Sequence, residues 1–368
     1  MNKVAEPVQL AWKVGVEIEL LAPLGRSRLD LAQVLAEQCG GRVQRFFHPQ
    51  SEPSQVAGAP VFENLTLGFK VLDAQGQLVA SCVDDLTLQK DLVRQRLPRP
   101  DWYRIVSDDS RMIRLIMRQA NASETCTQVL EPLAELFGSE LAINPDGMVR
   151  LSDDTGMSIA IAAPLPGERE RPCELVTVPI EDHHHQRLED LLSVANKLEF
   201  YVPVEGATHI HFDAKALCSA SVLANLINVL QVHGAGLRRL IGANANCTRL
   251  GDWPAALYDV VQQDDFIDLS WEQAQTQLSA VKLTKFCDFN IKNMIEGTPD
   301  KHTFEVRIFP VWLEAEPILE AAGLFEAILN WAIEAGPVRA EVPPALPDLL
   351  KVLPMRASLR GCWLKRLA

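Results

Sequence analysis

The chain has 368 residues, 48% of them hydrophobic and 23% charged, which is enough apolar material for a full core. A formal net charge of −13 excludes a broad nucleic-acid-binding surface, though a local cationic patch can still meet phosphate. Residues 1–20 have no apolar signal core, and no segment approaches the roughly 20 apolar residues that span a bilayer. A cytoplasmic protein with no nucleic-acid and no membrane partner is therefore expected. Cysteines at 39, 82, 126, 173, 218, 247, 287 and 362 form no CxxC pair and read as reduced thiols.

In chain order, residues 14–20 read as a strand, and Pro23-Leu24-Gly25 as a loop. Ser27 then caps a helix to Cys39, ended by Gly40-Gly41. Residues 45–60 are rich in Pro, Gly, Ser and Gln and read as a long loop. Strands at 62–71 and 77–83 follow, joined across Asp73-Ala74-Gln75-Gly76 as a hairpin. The segment 86–100 is polar and Arg-dense; it precedes a strand at 102–106 and a helix at 110–118. A helix at 130–136, a turn at Asn144-Pro145-Asp146-Gly147 and strands at 148–151, 158–162 and 173–178 complete the first half.

The second half alternates. Helical spacing covers 186–199, 219–233, 235–243, 271–280 and 317–334, with strands around His209 and Glu305. Residues 337–368 form a proline-containing stretch with basic residues Lys351, Arg356, Arg360, Lys365 and Arg366. No boundary divides the chain cleanly. The expectation is one catalytic domain over 1–336, elaborated at about 45–145, with 337–368 as a tail.

Three short segments carry the chemistry: Glu17-Ile18-Glu19, His209-Ile210-His211 and Glu305-Val306-Arg307. In a strand, residues i and i+2 point to one face. Each functional pair therefore shares a face, while Val16, Ile18, Leu20, Ile210, Phe212, Phe304, Val306 and Ile308 occupy the other. Paired carboxylates repel unless a cation lies between them, and Mg²⁺ accepts a few carboxylate oxygens together with phosphate. An Arg in so apolar a segment as Phe304-Glu305-Val306-Arg307-Ile308-Phe309 needs partners, and a phosphate suits its fork. Each pair alone also fits a duller structure: a solvated Glu face, a hydrogen-bonded His pair, a surface ion pair. His183-His184-His185 follows Glu181-Asp182 at a strand-to-helix junction and reads as solvated polar residues.

The order of these pairs, with Glu174-Leu175-Val176-Thr177-Val178-Pro179 and Asp288-Phe289-Asn290, resembles the carboxylate–amine ligase (amidoligase) family. That family shares the fold of glutamine synthetase and glutamate–cysteine ligase. The resemblance implies an α+β fold: a curved, mainly antiparallel sheet with the active site on one face and helices packed on the other. It also implies that Glu17, Glu19, Glu174, His209 and Glu305 bind two or three Mg²⁺ ions, with Mn²⁺ as a substitute. His211 would contact the transferring phosphate of ATP or the substrate, Arg307 would hold phosphate oxygens, and Asn290 would support the site. One further acidic residue belongs to the pattern, and Asp153, Asp154, Asp108 and Asp109 fit it comparably.

The implied reaction is ATP-dependent amide formation through an acyl phosphate, from a small-molecule or peptide carboxylate and an amine. The chain has no GxxxxGK[ST] segment, which argues against a P-loop enzyme. Two other readings stand beside this one: a metal-dependent hydrolase using the HxH pair, and a non-catalytic binding protein on the same fold. The fold is compatible with a homo-oligomer. The Arg-dense 94–104 region fits an acceptor pocket, a subunit contact or a solvated insertion equally well.

Overall fold

The computed structural model describes residues 8–52, 62–247, 249–297 and 301–367. The first elements are β1 (Val14–Leu21), α1 (Arg28–Gln38), β2 (Arg42–Glu52), β3 (Phe62–Leu72), β4 (Leu78–Val83) and β5 (Tyr103–Ser107). Then come α2 (Ser110–Gln119), α3 (Glu131–Phe137), β6 (Leu141–Ile143), β7 (Val149–Ser152), β8 (Ser158–Pro164) and β9 (Pro172–Thr177). The second half holds α4 (His184–Lys197), β10 (Thr208–Asp213), α5 (Ala220–Ile241), α6 (Ala255–Val261), α7 (Trp271–Ser279) and β11 (Phe289–Asn290). It ends with α8 (Lys292–Glu296), β12 (Thr303–Phe309), α9 (Ala315–Glu334), α10 (Leu346–Val352) and α11 (Ala357–Leu367). The chain is mixed α/β, its sheet is antiparallel, and the sheet does not close.

Two compact units are distinguished: residues 1–18, 179–193 and 206–368 form one, and residues 19–178 and 194–205 the other. In the first unit β10 lies between β1 and β12, and β11 pairs with the far edge of β12, all antiparallel. The alternation anticipated from the sequence holds. Ile210, Phe212, Phe304, Val306 and Ile308 are completely buried, each worth about 1.5–3 kcal/mol of burial. They face α5 and α9, where Phe325 meets Phe309 edge-on at 5.4 Å and Phe289 at 5.9 Å. The polar pairs thus take the opposite face because the oily one is filled.

Residues 219–233 and 235–243 do not form separate helices; α5 runs unbroken for 22 residues. Gly234, at the gap between the two expected helices, and Gly236 serve close packing. A Cβ on Gly234 would stand 3.3 Å from the Phe289 ring, and one on Gly236 would stand 3.2 Å from Leu346. The helix is long and apolar enough to cross a membrane, but 72% of its apolar window is buried in the protein, as in a core helix. Residues 337–368 carry α10 and α11, which bury Leu349, Leu350 and Trp363.

In the second unit β3 is the spine. β2 pairs along its whole length, and β4 and β5 share its other edge. β9 joins β4, β8 joins β5, and β7 and β6 continue outward. The expected loop at 45–60 is therefore strand as far as Glu52, and 53–60 lie outside the described residues. Pro49 obscured that strand, yet β2 is paired on one side only among the described residues, and an edge strand tolerates proline. The hairpin at 73–77 is as anticipated: the Asp73 carboxylate accepts the N–H groups of Gln75 and Gln77. The capping box of Ser27 and Asp30 opens α1. Arg28 is fully buried behind it, donating to the Leu67 and Arg169 carbonyls and stacking 4.6 Å over Trp102.

Candidate functional site

Strand register assembles the site in the first unit. Glu17 stands opposite His209, His211 opposite Glu305, and Asn290 opposite Glu305 on the other side. Gly15 stands opposite His211, where a Cβ would only touch the His211 Cβ at 3.7 Å. Between Thr208 and Ile210 the register of β12 slips, so that Arg307 and Ile308 together face His209. The Arg307 N–H serves the other edge of β12, where it extends the β11 pairing by donating to the Asp288 carbonyl at 2.9 Å.

The side chains converge. Arg307 Nη1 donates to Glu305 Oε1 at 2.5 Å, and Asn290 Nδ2 donates to Glu305 Oε2 at 2.7 Å. His209 Nδ1 lies 3.4 Å from Glu17 Oε2 and 3.5 Å from Arg307 Nη1. Those contacts require opposite tautomers, since a carboxylate only accepts and a guanidinium only donates. The carboxylate contact is the shorter and charge-assisted, so Nδ1 carries the proton and Nε2 the lone pair. His211 Nδ1 lies 3.1 Å from Thr303 Oγ1, while its Nε2 is 3.3 Å from Glu17 Oε1 and 3.8 Å from Glu305 Oε1.

Burial and charge set the protonation states. Burial opposes ionisation of Glu17, but the His211 and His209 imidazoles outweigh it and hold the carboxyl well below its ordinary value. Burial likewise opposes ionisation of Glu305, yet His211, Arg307 and His209 bring it down to about 2. Burial and the Arg307 guanidinium push His209 down, favouring the neutral ring. For His211, burial is overcome by the carboxylates of Glu17 and Glu305, and its value rises. Two ionised carboxylates thus lie among an arginine, a neutral imidazole and a readily protonated one.

This donor set fits a divalent cation. Ligand atoms of Glu17, His211 and Glu305 lie within 4.8 Å of one another. His211 Nε2 is buried and, despite its proximity to Glu17, has no aligned hydrogen-bond partner among the described residues. A cation there would replace the proton that the two carboxylates draw onto the ring. Each carboxylate oxygen has more than one lone pair, so the Asn290 and Arg307 bonds leave Glu305 able to coordinate.

Of the residues singled out from the sequence, Glu17, His209, His211, Glu305, Arg307 and Asn290 are brought together in the first unit. Glu19 and Glu174 belong to the second unit. There Glu19 is buried on β1, and Glu174 is partly exposed on β9 opposite Val83. Asp109 caps α2 through the Arg111 N–H, and Asp153 closes the turn between β7 and β8 through Thr155 and Met157. Asp108 and Asp154 are exposed. Among the deeply buried carboxylates in this unit are Asp84, 2.6 Å from Arg169, and Glu168, 2.5 Å from Arg171, which the sequence reading passed over. Thr303 was missed too, although Thr303-Phe304-Glu305-Val306-Arg307 places it on the Glu305 face by the same i, i+2 rule. His184 of the histidine triplet is buried, its Nε2 at 3.1 Å from the Ile180 carbonyl and 3.2 Å from that of Trp12.

Comparison with known proteins bears on what this arrangement does. Curated proteins give no match. A family model described as "putative amidoligase enzyme" matches residues 10–329, a span that contains every residue of the cluster. The chain belongs to this amidoligase enzyme family.

Proposed function

We propose that the protein is an ATP-dependent carboxylate–amine ligase of the glutamine synthetase-like type, working through an acyl phosphate. A carboxylate oxygen of one substrate attacks the γ-phosphorus of ATP, the bond to ADP breaks, and an acyl phosphate forms. The amine nitrogen of the second substrate then attacks the acyl carbon, expels phosphate and loses a proton. Such a sequence needs positioning and charge neutralisation rather than a protein nucleophile. The observation that carries this reading is the convergence of Glu17, His209, His211, Glu305 and Arg307 on one polar sheet face with no Ser or Cys among them.

Glu17, His211 and Glu305 would hold a divalent cation, with Mg²⁺ favoured by the carboxylates and Mn²⁺ by the imidazole. When bound, that ion supplies charge neutralisation for phosphate oxygens. Arg307 is fixed by Glu305 through Nη1 and by Asp288 through its N–H, which sets the direction of its guanidinium fork, a group suited to phosphate oxygens. Asn290 holds Glu305 from the neighbouring strand, and Thr303 orients the His211 ring. Ligand roles for Glu19 and Glu174 are proposed from the family resemblance.

The test is a screen for ADP release over pooled carboxylates and amines, including amino acids, polyamines and glutamyl peptides. Release that requires both partners and Mg²⁺ or Mn²⁺ supports the ligase. Tightly held zinc in the purified protein, with hydrolysis of an amide and no ADP, would instead establish a hydrolase using His209 and His211.

A further inference from the structure

A cavity of about 390 Å³ lies in the first unit, between the middle of α5 and residues 251–258. Leu230 and Gly234 of α5 line one wall, and Trp253, Tyr258, Asp288 and Phe289 line the other. It is on the opposite side of β11 from the carboxylate–imidazole cluster. Phe289 pairs with the buried Val306 and faces the helices, whereas the next residue, Asn290, faces Glu305.

Two features of this cavity point to an occupant. Its walls are aromatic: Trp253 and Tyr258 meet at 6.3 Å and 65°, and Trp253 and Phe289 at 5.8 Å and 53°. It is negatively charged: Asp252 and Asp288 both line it, and Arg238 reaches Asp288 at 3.2 Å. Burial and these two carboxylates push the Tyr258 phenol above its ordinary value.

We propose that this cavity binds a small organic ammonium ion. The cation would sit against the Trp253 and Tyr258 rings with Asp252 at the mouth, the arrangement by which aromatic walls and a carboxylate recognise ammonium groups. Asp288 accepts the Gly251 N–H and the Arg238 guanidinium through its carboxylate, and its carbonyl accepts the Arg307 N–H. Occupancy therefore touches the residue that fixes the Arg307 backbone, without entering the cluster itself.

The probe is choline, titrated by calorimetry against the full-length protein. Its neutral carbon isostere, 3,3-dimethyl-1-butanol, is the control. Choline is expected to bind in the millimolar range and the isostere not at all. Asp252→Asn alters an exposed side chain and leaves folding intact; it is expected to weaken choline about three- to thirtyfold. Trp253→Phe keeps a ring but offers a cation a weaker face, and is expected to weaken choline about two- to tenfold. Absence of choline binding, equal binding of the isostere, or wild-type affinity in Asp252→Asn each overturns the proposal.

Discussion

Glu305→Gln probes the cluster most sharply, because both hydrogen-bonding neighbours of this carboxylate are donors. Arg307 Nη1 stands at 2.5 Å from one oxygen and Asn290 Nδ2 at 2.7 Å from the other. An amide has one oxygen to offer, so its NH₂ group must face one of these donors. A carboxyl held at about 2 against an ordinary 4.5 represents about 3 kcal/mol of preference for the ionised form in the folded state. The sign follows from the direction of the shift. A depressed folded value stabilises the protein above 4.5, and that contribution is lost as pH falls towards 2. Urea unfolding of metal-free protein, followed by circular dichroism at pH 7 and at steps down to pH 3, measures it. The variant should be about 3 kcal/mol less stable at pH 7 and should lose less on acidification than the wild type does. A variant within about 0.5 kcal/mol of wild type at pH 7, with the same acid response, would refute the reasoning.

Arg307→Ala should reduce ADP release by about a thousandfold or more, and Arg307→Lys should not restore it, since a point charge lacks the fork. Wild-type turnover in the alanine variant removes Arg307 from phosphate contact. Thr303→Val deletes the hydroxyl at 3.1 Å from His211 Nδ1 and should weaken Mn²⁺ binding about 10- to 100-fold by titration. Because Glu17 and Glu305 raise the His211 value, Mn²⁺ must displace a proton, and its affinity should begin to fall at a pH already above 6.5 as the solution is acidified. Gly41→Ala would place a Cβ 1.8 Å from the Leu72 carbonyl oxygen, so backbone must move, and a stability loss of about 3 kcal/mol is expected in thermal unfolding.

The period-2 pattern made much of the site legible, because a filled apolar face leaves its partner face no choice. What alternation does not specify is register. That Glu17 meets His209, and His211 meets Glu305, depends on how distant strands pair, and no local signal in either segment encodes it. The bulge that redirects Arg307 is invisible for the same reason. Thr303 was within reach of the same spacing argument and was overlooked because a hydroxyl draws less notice than a charge. Local rules misread β2, where Pro49 sits on an edge strand, and α5, where glycines pack rather than break. The short elements α6, α8 and β11 have too few residues to show a period, and tertiary packing decides them.

The central claim is that a substrate carboxylate is activated by phosphorylation. Once the screen identifies a reacting pair, turnover with ¹⁸O-labelled carboxylate and analysis of the released phosphate by mass spectrometry tests it directly. Attack of the carboxylate on the γ-phosphorus places a label oxygen in the bridge of the acyl phosphate, and expulsion by the amine carries it away on phosphate. The account predicts labelled phosphate, formed in step with the amide. Unlabelled phosphate accompanying amide formation would contradict it.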